Sequence, residues 1–187
     1  INDGVDILIS PNNGYDISDF LIAVRSAPKQ VFWCHGNLEY EIEGLDKKIT
    51  HLIFDKNNSG LDFFTMAIDQ RFRDAAGGRQ KAKEIRQQLP RGAFVLGTIG
   101  RLVKLDSDEY FSAVKAIMEK NPHAIYLACG SGNIEYFQER IKSLGLADRF
   151  VFTGHINPHV FGYVLDLWLD TFPMHQGESM SEYSSKG

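Results

Sequence analysis

Short apolar runs alternate along this chain with segments whose apolar positions recur every three or four residues. The alternation is clearest in the second half. Residues 93–99 predict a buried strand. From Ser107 onward Tyr110, Phe111, Val114, Ile117 and Met118 share one helical face, until Asn121-Pro122 ends the pattern. Residues 124–129 predict the next strand, which runs into Gly130-Ser131-Gly132. Residues 134–144 predict a helix, with Gly145 placed to be its left-handed C-terminal cap. A strand over 150–153, a short helix over 159–165, a strand over 167–171 and a helix opening over 179–186 complete the series.

The first half is less regular. Residues 5–9 predict a strand ended by turn-forming residues 10–14, and then a helix capped by Asp16 or Ser18 that carries Phe20, Leu21 and Val24 at helical spacing as far as Pro28. Strands follow over 30–34 and 49–54, then a polar turn over 55–60, while residues 61–72 are apolar without a clear period. Arg73, Arg79, Lys81, Lys83, Arg86 and Arg91 surround Gly77-Gly78 in the best candidate linker. Their plain reading is a solvated helix over 79–89 rather than an anionic partner site. Strands separated by helices imply right-handed parallel crossovers, and so an α/β chain with doubly wound parallel sheets.

Composition narrows the function. The chain has 187 residues, 20 basic against 24 acidic side chains and a formal charge of −4, with 43% hydrophobic residues, and no apolar run reaches the roughly 18 residues of a spanning helix. Mild acidity argues against a general nucleic-acid binder, which needs a clustered basic surface to displace counterions. Cys34 and Cys129 lie far apart, so neither a disulfide framework nor a paired-cysteine zinc site is expected, and a cytoplasmic setting fits. Ile1 at one end and Ser184-Ser185-Lys186-Gly187 at the other read as cuts within a longer protein.

In a parallel sheet, ligands bind beyond the carboxyl ends of the strands, which here singles out residues 98–106, 129–133, 154–159 and 172–179. Gly100 in the first loop permits close backbone approach, and Arg101 and Lys104 offer charge to a diphosphate; the alternative is two ordinary surface cations. In the second loop Glu135 stands where a dinucleotide fingerprint needs its third glycine. Gly130 and Gly132 then read as a tight strand-to-helix turn, and an NAD-dependent dehydrogenase is disfavoured. In the fourth loop Ser179 and Glu182 match a capping box; alternatively the helix start holds phosphate oxygens and Glu182 meets ribose hydroxyls. Glu178 and Glu182 share a helix face, so one of them should point elsewhere. Pro158 between His155 and His159 argues against a metal-binding helix turn, and Cys34 beside His35 reads as a buried structural thiol rather than a nucleophile.

Four blocks together resemble a known family. They are Gly100-Arg101-Leu102-Val103, Gly130-Ser131-Gly132, residues 144–154 (Leu-Gly-Leu-Ala-Asp-Arg-Phe-Val-Phe-Thr-Gly) and residues 166–173 (Asp-Leu-Trp-Leu-Asp-Thr-Phe-Pro). In order and spacing they are similar to the donor-binding domain of GT-B glycosyltransferases. With residues 3–9 and 25–33, they look most like the group of O-linked N-acetylglucosamine transferases and bacterial protein N-glucosyltransferases.

The resemblance implies an α/β, GT-B-type fold of Rossmann-like parallel sheets with flanking helices. Residues 1–60 would be the tail of the acceptor-side domain, 61–92 a linker and helix, and 93–187 a truncated nucleotide-sugar donor-binding domain. It implies metal-independent transfer of a hexose from a nucleotide-diphosphate sugar, such as a UDP-sugar, with no cofactor, to an acceptor hydroxyl or amide on an unidentified protein or glycan. The segment alone would mainly bind donor and be inactive. By position, Lys104 is the catalytic lysine on the diphosphate, with Gly100 and Arg101 beside it. Asn157, Pro158 and His159 hold the nucleobase largely through backbone groups; Gly177, Glu178, Ser179 and Met180 form the phosphate-binding helix start; and Glu182 contacts ribose. Glu178 and Met180 depart from the family's small hydroxyl or glycine positions, and Gly36-Asn37-Leu38-Glu39 departs from its acceptor-side loop. The competing reading is a nucleotide- or sugar-binding regulatory module without transfer.

Overall fold

The computed structural model describes residues 4–11, 17–34, 41–51 and 60–186. The Asp16 cap, the end of the strand expected to reach residue 54, most of the polar turn over 55–60, and His35 with the loop 36–39 lie outside the described residues. The chain divides into two compact units, Ile1–Ala67 and Ile68–Gly187.

In the first unit β1 (Ile7–Ser10), β2 (Lys29–Cys34), β3 (Lys47–Thr50) and β4 (Asp62–Phe63) form a parallel sheet in that spatial order. Phe32 and Cys34 are fully buried against Ile42, Leu45 and Leu61. Helix α1 (Ile17–Ala23) does not bury the face its spacing predicts. Ile22 and Asp19 point inward, and Phe20, Leu21 and Val24 are exposed. The buried Gln30 side chain fixes this rotation by donating to the Ile22 carbonyl at 2.7 Å and to the Gly44 carbonyl at 2.9 Å.

In the second unit β5 (Phe94–Ile99), β6 (Ala124–Cys129), β7 (Phe150–Gly154) and β8 (Leu167–Trp168) are all parallel, in the order β7-β6-β5-β8. Helices α4 (Asp108–Lys120) and α5 (Ile134–Ser143) cover one face, where Tyr110, Phe111, Val114, Met118, Phe137 and Ile141 pack on Leu96, Tyr126 and Ala128. Side chains one position along each strand point the other way. There Val95, Ile125, Leu127 and Cys129 pack with Ala82 of α3 (Gly78–Arg86) and Val160 of α6 (Pro158–Phe161). Local chemistry sets the ends: the Ser107 hydroxyl accepts from the Tyr110 amide to start α4, and Gly145 at φ 73° closes α5.

The basic stretch is a helix, as its plain reading expects, but Arg86 is not merely solvated. Its guanidinium donates to the Val164 carbonyl at 2.7 Å and to Asp166 at 2.8 Å, and the same Asp166 oxygen accepts the Val95 amide. Both α6 and β8 are shorter than the sequence predicts. Among the described residues no helix is long and apolar enough to cross a membrane.

Candidate functional site

The strand order places a switch point at β5. The chain leaves β5 toward β6 on one side, and β8 arrives on the other, so the loops after β5 and β8 diverge around a crevice where ligands of parallel sheets bind. After β5 come Gly100, Arg101 and a 3-10 turn over Leu102–Leu105; after β8 comes the loop 169–177, which leads into α7 (Glu178–Ser184).

The glycines here make room for protein rather than leaving space open. A Cβ on Gly130, at φ 149°, would lie 1.7 Å from the Gly100 carbonyl oxygen, and one on Gly132 would lie 2.6 Å from Leu102 Cβ. Gly100 is the position expected to give the diphosphate a close approach. The Gln176 side chain fills the space above it, with Oε1 2.1 Å from where a Cβ would be.

Lys104 joins the two loops: its Nζ donates to the His175 carbonyl at 2.8 Å. The ammonium thus meets a neutral carbonyl oxygen rather than a carboxylate. Burial lowers its pKa and the neighbouring Arg101 charge lowers it further, while Asp170 opposes both. Two cations three residues apart on one loop raise the local positive potential. Arg101 is exposed and lines a cleft of about 380 Å³ with Val103, Asp106, Ser131, Asn133 and Tyr136.

The loop after β8 is held by residues the sequence reasoning missed. Asp170 Oδ1 accepts both the Thr171 amide at 2.9 Å and the Gln176 amide at 2.8 Å. The Thr171 hydroxyl donates to the Met174 carbonyl at 2.5 Å, and Gln176 Nε2 donates to Thr98 Oγ1 at 3.4 Å. An Asp followed by Thr and an X-Pro step is a turn signal that pointed here.

The capping box expected at Ser179 does not form. Gly177, at φ 65° and ψ −115°, is the N-cap and makes no side-chain cap bond. Ser179 therefore lies inside the first turn, and its hydroxyl reaches back to the Gln176 carbonyl at 3.5 Å. The Met180 amide is already spent on the Gly177 carbonyl at 3.0 Å, and the Met180 side chain is exposed. Glu178 and Glu182 do not separate electrically: after burial, the Glu178 charge is the next largest cause of the raised Glu182 pKa.

A second cluster holds the remaining expected residues. The Asn157 side chain caps α6 by accepting the His159 amide at 3.0 Å, and Pro158 opens the helix. The His159 carbonyl accepts from Lys186 at 3.1 Å, so both backbone polar groups of His159 already have partners. Its ring packs edge-on to Phe72 of α2 (Gln70–Arg73) at 4.2 Å, and Nδ1 is buried without a partner. Burial and the Arg71 charge lower the His159 pKa. Glu182 belongs with this cluster, since Asp69 and Lys186 act on both residues. Helix α7 thus begins at the Lys104 loop and ends beside α6. Among the described residues no group of three or more His, Cys, Asp or Glu is placed to hold a metal ion.

No protein-family model matches the chain, and no curated protein matches it. Solved structures do. HepE of Anabaena, in complex with UDP-glucose, superposes with a TM-score of 0.71 at 15% identity over 97% of this chain and 57% of its own. A glycosyltransferase from Rickettsia africae gives 0.68 at 16% identity, over 98% and 56%. The O-GlcNAc transferase of Thermobaculum terrenum, as a K341M mutant, gives 0.63 at 18% identity, over 98% and 36%. The expected α/β fold of GT-B type, with Rossmann-like parallel sheets, is therefore the observed one. The O-GlcNAc transferase does not stand apart from the others, so the likeness is to the fold at large. The chain spans a little over half the length of the first two.

Proposed function

We propose that this chain is the donor-binding part of a glycosyltransferase, one that moves a hexose from a nucleoside-diphosphate sugar to an acceptor hydroxyl or amide without a metal ion. The observation that carries the reading is the Lys104 ammonium on the His175 carbonyl at the switch point between β5 and β8. As the bond between the sugar and the diphosphate breaks, negative charge grows on the departing oxygen. Pre-placed cations stabilise that charge without reorganising. Lys104 and Arg101 supply them, and the positive end of the α7 backbone dipole adds to them. The nucleoside lies along α7 toward His159 and Glu182, whose carboxylate accepts hydrogen bonds from ribose hydroxyls. UDP is the first nucleotide to test, since HepE was solved with UDP-glucose.

Isothermal titration of the folded chain with UDP and GDP tests the reading: saturable binding of one of them, weakened in Lys104→Met, is expected. Absence of affinity for either would overturn it. Sugar transfer by a longer protein containing this chain separates an enzyme from a regulatory module that binds the same ligand without turnover.

A further inference from the structure

The loop that carries the His175 carbonyl leaves β8 and returns within a few residues, and a single oxygen spans its mouth. Asp170 Oδ1 accepts the amide of Thr171 at the start of the excursion and the amide of Gln176 at its end. Gln176 adjoins His175, so the oxygen that holds the Gln176 amide also fixes the direction of the carbonyl that Lys104 meets. Two further contacts depend on that closure. Thr171 bonds to the Met174 carbonyl across the loop, and Gln176 extends over Gly100 to Thr98 at the end of β5. The Phe172 ring leans edge-on against Tyr110 of α4 at 5.4 Å, which ties the outer side of the loop to the core.

We propose that Asp170 is a positioning residue for the anion site. It acts through the Gln176 amide to hold the His175 carbonyl where it orients Lys104, and it does so by geometry rather than by its negative charge. The inference rests on the donor-binding reading above. A carboxylate beside an anion site works against binding through charge alone, so its presence here needs the geometric benefit.

Two substitutions separate the two roles. Asp170→Asn keeps a carbonyl oxygen at the same reach and removes the charge; Asp170→Glu keeps the charge and moves the oxygens out by one methylene. Both are titrated with UDP at fixed pH and ionic strength, with the amide spectrum of each variant compared to wild type to establish that the rest of the chain is folded. Asp170→Asn should bind as well as wild type or better, and Asp170→Glu should lose roughly tenfold, the loss expected when one or two amide hydrogen bonds are broken. Wild-type affinity in Asp170→Glu, or a loss confined to Asp170→Asn, overturns the positioning role while donor binding stands. Failure of wild type to bind UDP removes both.

Discussion

Gly130 and Gly92 form a matched pair for testing how the β5 and β6 ends fit together. Both have positive φ, 149° and 78°, a conformation that costs an L-residue about 1–3 kcal/mol. Their surroundings differ. A Cβ on Gly92 meets nothing within 4 Å, whereas one on Gly130 lies 1.7 Å from the Gly100 carbonyl oxygen, a backbone atom held in the sheet end by the bond from the Gly100 amide to the Cys129 carbonyl. Gly92→Ala therefore carries only the conformational cost. Gly130→Ala adds an overlap that is relieved only if the two strand ends separate, for about another 1–3 kcal/mol. With a urea slope of about 1–3 kcal/mol per molar, an added cost of about 2 kcal/mol lowers the midpoint by about 1 M beyond that of Gly92→Ala. The assay is urea unfolding followed by Trp168 fluorescence in a Trp33→Phe background; these are the two tryptophans, so the signal reports the second unit. Equal midpoints for the two alanine variants would refute the packing argument. UDP affinity should also fall in Gly130→Ala and not in Gly92→Ala, because the Gly100 end carries Arg101 and Lys104.

Three further outcomes are expected. Lys104 has a folded-state pKa below its ordinary value, and a bound anion raises it again. UDP affinity should therefore fall as pH rises through the lowered value, while without ligand the stability contribution of Lys104 rises over the same window; calorimetry in which wild type and Lys104→Met share one pH profile would contradict this. The buried hydroxyls of Tyr110 and Tyr126 lie 2.6 Å apart, and burial pushes the Tyr110 pKa up to about 12. Each single Tyr→Phe change should cost about 1–3 kcal/mol by orphaning the other hydroxyl, and the double variant less than the sum; strictly additive losses in urea unfolding would count against the pairing. Burial also raises the Cys129 pKa to about 11, so iodoacetamide at mildly alkaline pH should leave it unmodified in the native chain and label it in urea; rapid native labelling seen by mass spectrometry would contradict its burial.

The apolar alternation made β5, β6, β7, α4 and α5 legible to within about a residue or two, because there the buried face and the local caps agree. Ser107 and Gly145 are such caps. Where one contact from elsewhere decides the outcome, the pattern fails. The face of α1 is set by a glutamine eight residues beyond Ile22, and the start of α7 by the backbone of Gly177, although Ser179 and Glu182 satisfy the capping pattern. Lys104 stands on one of the loops that the sequence singled out. Its partner is a main-chain carbonyl 71 positions away, which no side-chain pattern encodes. Gly100 shows the same limit, since a glycine suited to a ligand and one making room for Gln176 read alike in sequence.

The placement of β8 has a consequence for synthesis. Strands β5, β6 and β7 can pair as soon as they leave the ribosome, but the flank of β5 that later receives β8 stays unpaired until residues beyond 166 emerge. Until then the nascent chain carries a bare parallel-strand border, a template for pairing with other chains. The clamp of Arg86 on Asp166, 80 positions apart, and the contact of Lys104 with His175 close together at the last stage. Ribosome-bound chains stopped before residue 166 should therefore be prone to misassociation and blind to nucleotide.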